Sequence, residues 1–417
     1  MLSKTKVHYG WYICLASFLM MFCTYGLAVN VFSIFLPHII TETNLSKAEG
    51  SSIFTVQNVA ILLAMLLAGK YYKKLGLRYG SSLAIFFIAI GYFIYANAHS
   101  LYAFYFGASL VGFGYGMGSM IPISILLNNW FNDKRAFALG LAASGSSFSA
   151  LIMPTPLTIL METYNLYVTF FVQGILVLII SIILFIVIRD TPAECNLTPY
   201  QNGKSTKNNY VILDKKNDMH GGSYVMALIA LFIFGGVSMG SFAHFAVHYS
   251  NLGYSNIIVS AAASVLGLVL IGGKCLFGII TDRIGSLKST YIFTAVWMFG
   301  FFLTANAGIS VYVLFLCPII IGLSGSLGSM GPTVWAQSLS SKKNLTRTIS
   351  HFQIATMAGG IICTLLPGII ADYTGSYSPA FILFILMLAI VLVLIKHLYG
   401  KVEKANKKRL YNKCCGV

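Results

Sequence analysis

Acidic side chains are scarce in this chain. Eleven Asp and Glu stand among 417 residues, and each of them falls in a loop, a tail or the end of an apolar run. Paired carboxylates for acid–base work are therefore missing, as is a nucleophile with a matching base, so no catalytic constellation is visible. The G-x-x-x-x-G-K-[ST] loop that cradles nucleotide phosphates is also missing, which excludes ATP drive of that kind. Eight cysteines are present. Cys14, Cys23, Cys275, Cys317 and Cys363 lie inside apolar runs, Cys195 in a polar stretch, and Cys414 and Cys415 in the tail. None has ligand spacing with a histidine and none sits in an outward loop, so the reading is no metal, no cofactor and no disulfide framework. Cys414-Cys415-Gly416-Val417 lacks the aliphatic middle of a prenylation box.

What the chain has in abundance is apolar surface. Hydrophobic residues make up 57% and mean hydropathy is +0.81, more than a soluble core could hide. The chain reads as an all-α polytopic membrane protein. Twelve runs are long enough to span a bilayer as helices, at 10–38, 50–69, 80–98, 101–130, 136–160, 164–188, 223–249, 256–281, 289–307, 310–339, 347–371 and 376–398. The first follows Lys4 and Lys6 but is too long for a signal peptide and ends in no cleavage site, so it reads as span 1.

The net charge of +16 is distributed unevenly. Of 27 Lys and Arg, all but Lys47 and Lys274 fall in the N-terminal tail, the loops after spans 2, 4, 8 and 10, the central polar stretch, or in and just before the C-terminal tail. That is the positive-inside pattern, which predicts both termini and the central stretch on the cytoplasmic side of a cell membrane. Basicity here sets topology toward the lipid bilayer and gives no nucleic-acid site. The short loops suit a bacterial inner membrane.

Residues 189–222, rich in Asn, Lys, Gly and Pro, read as a cytoplasmic linker between an N-terminal six-helix bundle, 1–188, and a C-terminal one, 223–398, followed by a basic tail, 399–417. The halves echo each other. Gly69 to Gly80, GKYYKKLGLRYG, follows span 2, and Gly278 to Lys288, GIITDRIGSLK, follows span 8, their starts 209 residues apart. Parallel six-helix repeats with a site near the midplane are an architecture of secondary transporters.

The paired loops resemble the major facilitator superfamily signature G-x-x-x-D-R-x-G-x-[RK]-[RK], a turn whose glycines allow tight packing and whose charges latch a gate. Gly278, Asp282, Arg283 and Gly285 match the second copy; Gly69, Gly76 and Arg78 match the first, where Lys73 and Lys74 replace the Asp-Arg pair, so that the acidic latch is missing from this half. The resemblance implies twelve helices in two pseudo-symmetric bundles. A narrower resemblance is carried by Gly112 to Pro154, where Trp130-Phe131-Asn132-Asp133-Lys134-Arg135 precedes a glycine-rich span ending in proline. This is similar to the monocarboxylate transporters and bacterial oxalate:formate antiporters. That group places a carboxylate-binding cation about eight residues before the loop aspartate, which is the place of Lys274 here.

Lys274 stands out without the resemblance as well, because a charge among some twenty apolar or small residues is costly and by default functional. The sequence places no acidic residue at its depth. Three readings stay open: a lysine deprotonated by desolvation, contact with an anionic ligand, or a side chain snorkelling along the roughly 12 Å to the water boundary at Asp282. The second cation of oxalate exchangers has no counterpart; the matching region of span 11 offers His351, Gln353 and Thr356. One fixed cation suits one carboxylate. The aspartate that proton-coupled relatives carry one turn before the cation is Leu270 here, which excludes proton coupling by that pair. Span 10, Gly322 to Pro332, is thin in aromatics, leaving room for a bulkier substrate or for close helix packing.

His244 and His248, four apart on span 7, share a helix face and are candidates for substrate contact or pH sensing. Tyr115 matches a family aromatic facing the cavity. Phe32, Asn58 and Trp335 are further candidate lining residues, each with interhelical packing as the alternative. The expectation is a monomeric secondary transporter of a small organic monocarboxylate, working by proton symport or exchange against a counter-anion, with no enzymatic activity. An exporter of drugs and a transporter-like ligand sensor are the alternatives.

Overall fold

A bilayer offers no water to backbone amides, so apolar runs of this length satisfy them internally as helices. A computed structural model, describing residues 7–43, 45–201, 219, 221–341 and 344–414, shows this outcome. Eleven segments among the described residues are long and apolar enough to cross a membrane. One of them, Ser52–Ala96, is 45 residues long. At 1.5 Å per residue it covers about 68 Å, twice a hydrocarbon core, and is therefore two spans. The chain is a multi-pass membrane protein. Most of the linker beyond Gln201, the Lys342-Lys343 pair and the last three residues of the tail lie outside the described residues.

The chain divides into two compact units, Met1–Ser205 and Thr206–Val417. In the first, α1 (Gly10–Met21) runs on as a π-helix (Phe22–Asn30) and then α2 (Phe32–Thr43). There follow α3 (Lys47–Ala96), α4 (Leu101–Gly118) with α5 (Met120–Trp130), α6 (Arg135–Ile152) with α7 (Pro154–Thr163), and α8 (Leu166–Val187). In the second come α9 (Gly222–Asn251), α10 (Asn256–Ile284) and α11 (Ser286–Ala305). Then α12 (Val311–Ser324) joins α13 (Ser326–Leu339), α14 (Leu345–Cys363) joins α15 (Leu366–Thr374), and α16 (Ser378–Cys414) closes the chain.

The breaks repeat between units. Spans 4 and 10 are each two helical pieces, as are spans 5 and 11. In the latter pair a proline opens or nearly opens the second piece, at Pro154 and Pro367, where the missing N–H and fixed φ start a helix readily. The paired signatures, expected as loops, are not loops. Gly69 is helical inside α3, and the whole turn is Gly76, at φ 72° and ψ 177°. Gly278, Asp282 and Arg283 are likewise helical in α10, and the turn is Gly285, at φ 90° and ψ 159°. Both glycines occupy a region of backbone space open essentially to glycine alone. They stand 209 residues apart, the spacing of the repeat.

Packing within each unit depends on close backbone approach. A Cβ on Gly235 would lie 1.8 Å from the Thr356 carbonyl oxygen, and one on Gly359 would lie 1.8 Å from that of Phe232, so α9 and α14 touch backbone to backbone. Aromatic clusters fill the rest: Phe35, Tyr92, Tyr95 and Phe104 around Phe170 in the first unit, and Trp297, Phe301, Phe381 and Phe384 in the second.

Candidate functional site

Lys274 sits on α10 and is 2% exposed, enclosed by protein. Its neighbour Gly273 explains the burial. A Cβ there would fall 2.6 Å from the Gly322 carbonyl oxygen and 2.8 Å from that of Leu323, so α10 lies directly on α12 at this level. The small residues of span 10 thus serve close packing at Gly322.

The other candidates of the second unit take well-defined places. Trp335, 2% exposed, donates its indole N–H to Thr290 Oγ1 at 2.9 Å and packs edge-on against Phe234. Gln353 donates to Thr333 Oγ1 at 3.0 Å, joining α14 to α13. The Thr356 hydroxyl donates to the Phe352 carbonyl one turn back. His244 and His248 share a helix face yet reach different neighbours. His244 Nε2 donates to the Thr364 carbonyl on span 11, and His248 Nε2 donates to the Thr304 carbonyl on α11, both at 2.8 Å. A carbonyl only accepts, so Nε2 carries the proton in both rings. Tyr377 packs against both, stacked on His244 and edge-on to His248.

In the first unit Tyr115 is buried beside Tyr25, ring centroids 5.9 Å apart. Tyr25 lies on the π-helical stretch and sequence reading passed over it. Phe32 belongs to another cluster, stacked on Phe54 and tilted against Tyr95. Asn58 is half-buried, whereas its neighbour Gln57 is wholly buried and donates to the Ala28 carbonyl at 2.7 Å. The Gln57-Asn58 pair was visible in the sequence, but which of the two faced inward was not.

The turn at Gly76 is held by a residue outside the signature. The sequence shows Lys73 and Lys74 in place of the signature's Asp-Arg pair, yet a carboxylate reaches this turn from another element. Asp190, just past α8, accepts from the Leu77 amide at 2.8 Å and from the Arg78 amide at 2.7 Å. Arg78 donates its Nε–H to the Phe185 carbonyl at 2.8 Å, with its guanidinium 4.6 Å from the Phe185 ring centre. The start of the linker is folded too. Tyr200 pairs with Phe131, its amide donating to the Trp130 carbonyl at 2.8 Å, and the Trp130 indole donates to the Arg189 carbonyl at 2.9 Å. The Trp130-Phe131 segment of the narrower resemblance is thus where the linker is anchored.

With this geometry in hand, comparison with known proteins settles the family. The chain matches the Major Facilitator Superfamily over residues 14–337 and 250–412, nearly its whole length. It belongs to that superfamily. The fold is similar to that of the FucP transporter, whose crystal structure is in an outward conformation, at a TM-score of 0.70 and 15% identity, covering 93% of this chain and 98% of that one. Among curated relatives, the aspyridones efflux protein apdF of Emericella nidulans is 24% identical over 73% of this chain and 60% of its own length, so under two thirds of that protein is spanned. Human monocarboxylate transporter 12 is 21% identical over 90% of this chain and 77% of its own. The hexuronate transporter of Bacillus subtilis is 23% identical over 85% and 86%.

Proposed function

We propose that this superfamily transporter moves small organic anions, specifically a monocarboxylate of the lactate, pyruvate or formate class, by proton symport or anion exchange with alternating access. The observation that carries the reading is Lys274, a lysine enclosed at 2% exposure deep in an apolar helix. Holding a charge there is costly, and such residues mark substrate and ion pathways. A substrate carboxylate offsets part of that cost through a charge-assisted hydrogen bond. Within the second unit His244 and neighbouring polar groups would supply further hydrogen bonds, Tyr115 would be a substrate contact of the first unit, and Gly76, Arg78, Asp282, Arg283 and Gly285 would form the gating turns. The likeness to monocarboxylate transporter 12 over 90% of the chain supports the substrate class. The likeness to a hexuronate transporter supports the same charge on a larger molecule. Placement in the cell membrane with both termini cytoplasmic follows from the charge asymmetry.

Export of uncharged or cationic compounds is the second reading, supported by the efflux relative. Uptake of labelled lactate, pyruvate, formate and oxalate into proteoliposomes separates the two. The measurement is made with and without internal unlabelled anion and with an imposed pH gradient. Saturable monocarboxylate flux is expected, and its response to each gradient distinguishes symport from exchange. Folded protein that moves none of the four under either gradient would exclude small carboxylates, and hexuronates would be tested next.

A further inference from the structure

On the outside of the first unit, two cavities of about 410 and 350 Å³ lie end to end between α3 and α4 and share Leu67 and Phe113. Along α3 their walls are built by Val56, Val59, Ala60, Leu63 and Leu67, and then by Lys70 and Lys74. Each step is three, four or one residue, so these side chains form a single stripe on one helix face. Along α4, Ser109, Phe113 and Met117, spaced by four, form the opposite wall. The result is a continuous apolar groove that ends in two lysines one turn apart.

The position of those lysines gives the groove a direction. Lys74 is two residues before the Gly76 turn, where the helix ends and the chain reverses, so the pair stands at headgroup level. From Lys74 back to Leu63 is eleven residues, about 16 Å, which is half of a hydrocarbon core of about 30 Å and the depth of one leaflet. Val59, Leu63 and Leu67 are exposed, as are both lysines, and no acidic side chain lines either cavity.

We propose that this groove is a binding site for one anionic phospholipid. Its acyl chain lies along Leu67, Leu63 and Ala60 against Phe113, and its phosphate sits between the ammonium groups of Lys70 and Lys74. The apolar walls take a lipid chain of any headgroup, and the lysine pair makes the site selective for negative charge. The long lysine stems continue the apolar wall while their charges stay at the membrane surface. The occupant is a lipid of the surrounding leaflet and is independent of the transported substrate.

The test uses the full-length protein in nanodiscs of phosphatidylcholine with or without phosphatidylglycerol, followed by native mass spectrometry of retained lipid. Wild type is expected to retain one phosphatidylglycerol in preference to phosphatidylcholine. Two lysines, each with the attraction usual near an anionic surface, predict about a 25-fold loss of that preference in Lys70→Gln/Lys74→Gln. Leu67→Trp, which fills the neck shared by both cavities and keeps the charges, is expected to lower retention of both lipids. Lys288→Gln, at the other unit's turn, is expected to change nothing. Equal retention of the two lipids by wild type, or undiminished preference in the double variant, would overturn the proposal. So would a second copy of the chain cross-linking through Val59→Cys.

Discussion

Replacing Asp190 by Ala should loosen the first unit at a single turn. The carboxylate accepts two backbone N–H groups, of Leu77 at 2.8 Å and Arg78 at 2.7 Å, at the start of the helix that follows Gly76. Removing a capping acceptor costs about 1–2 kcal/mol, and losing a negative charge at a helix N-terminus adds about 0.3–1 kcal/mol. The sum is about 1.3–3 kcal/mol in a unit of some 205 residues, where each kcal/mol shifts the midpoint by about 2–4 °C. A fall of about 3–12 °C is therefore expected for Asp190→Ala in scanning fluorimetry of the purified protein. Asp190→Asn keeps one acceptor and should fall between the two. Gly76→Ala should be coupled to Asp190→Ala, because a Cβ on Gly76 would lie 2.7 Å from Asp190 Oδ2 and displace the carboxylate. The double variant should then lose less than the sum of the singles. Gly285→Ala supplies the control, for a Cβ there meets nothing within 4 Å, leaving only backbone strain of about 1–3 kcal/mol. An unchanged midpoint in Asp190→Ala, or simple additivity with Gly76→Ala, would refute the reasoning.

Other substitutions test the packing. Gly359→Ala places a methyl group 1.8 Å from the Phe232 carbonyl oxygen and must part α9 from α14, so a loss above about 4 kcal/mol and a broadened size-exclusion peak are expected. Trp335→Phe removes the hydrogen bond to Thr290, whose hydroxyl keeps its own bond to the Ser286 carbonyl at 2.7 Å; the cost should stay near 1 kcal/mol by thermal unfolding. Ser46 and Glu49 form a capping box at the start of α3, and the Ser46 amide holds the Glu49 carboxyl below its ordinary value of 4.5. A depressed carboxyl contributes stability above its unfolded pKa and loses it as pH falls through the folded one. Glu49→Gln should therefore differ from wild type at neutral pH and converge with it below about pH 4, a small effect read by pH-dependent unfolding.

Much of the architecture was legible because a membrane leaves so few alternatives. Apolar runs near bilayer length fix helices, and the 209-residue echo located both turns, now seen as Gly76 and Gly285. Helix ends were harder. Twelve spans were expected with a loop from Gly69 to Gly80, but a single glycine suffices to reverse the chain, and lysines and tyrosines continue the helix up to it. Asp190 was read as part of a loose linker, since nothing in Arg189-Asp190-Thr191-Pro192 states that its carboxylate reaches back more than a hundred residues to cap α3. For the candidate site, Lys274 was conspicuous because charge in an apolar run is rare. The aromatic and histidine candidates were not separable by sequence, since lining a pathway and packing a core call for the same side chains. Trp335 and His248 are bound inside the second unit to Thr290 and Thr304.

The most direct test of the central claim is carboxylate flux in proteoliposomes carrying Lys274→Gln, beside wild type and with matched size-exclusion profiles. If Lys274 pairs with the substrate carboxylate, saturable flux should fall by two orders of magnitude or more, in line with the roughly 2–5 kcal/mol lost when one partner of a buried charge pair is removed. Wild-type flux from a folded Lys274→Gln protein would contradict the account.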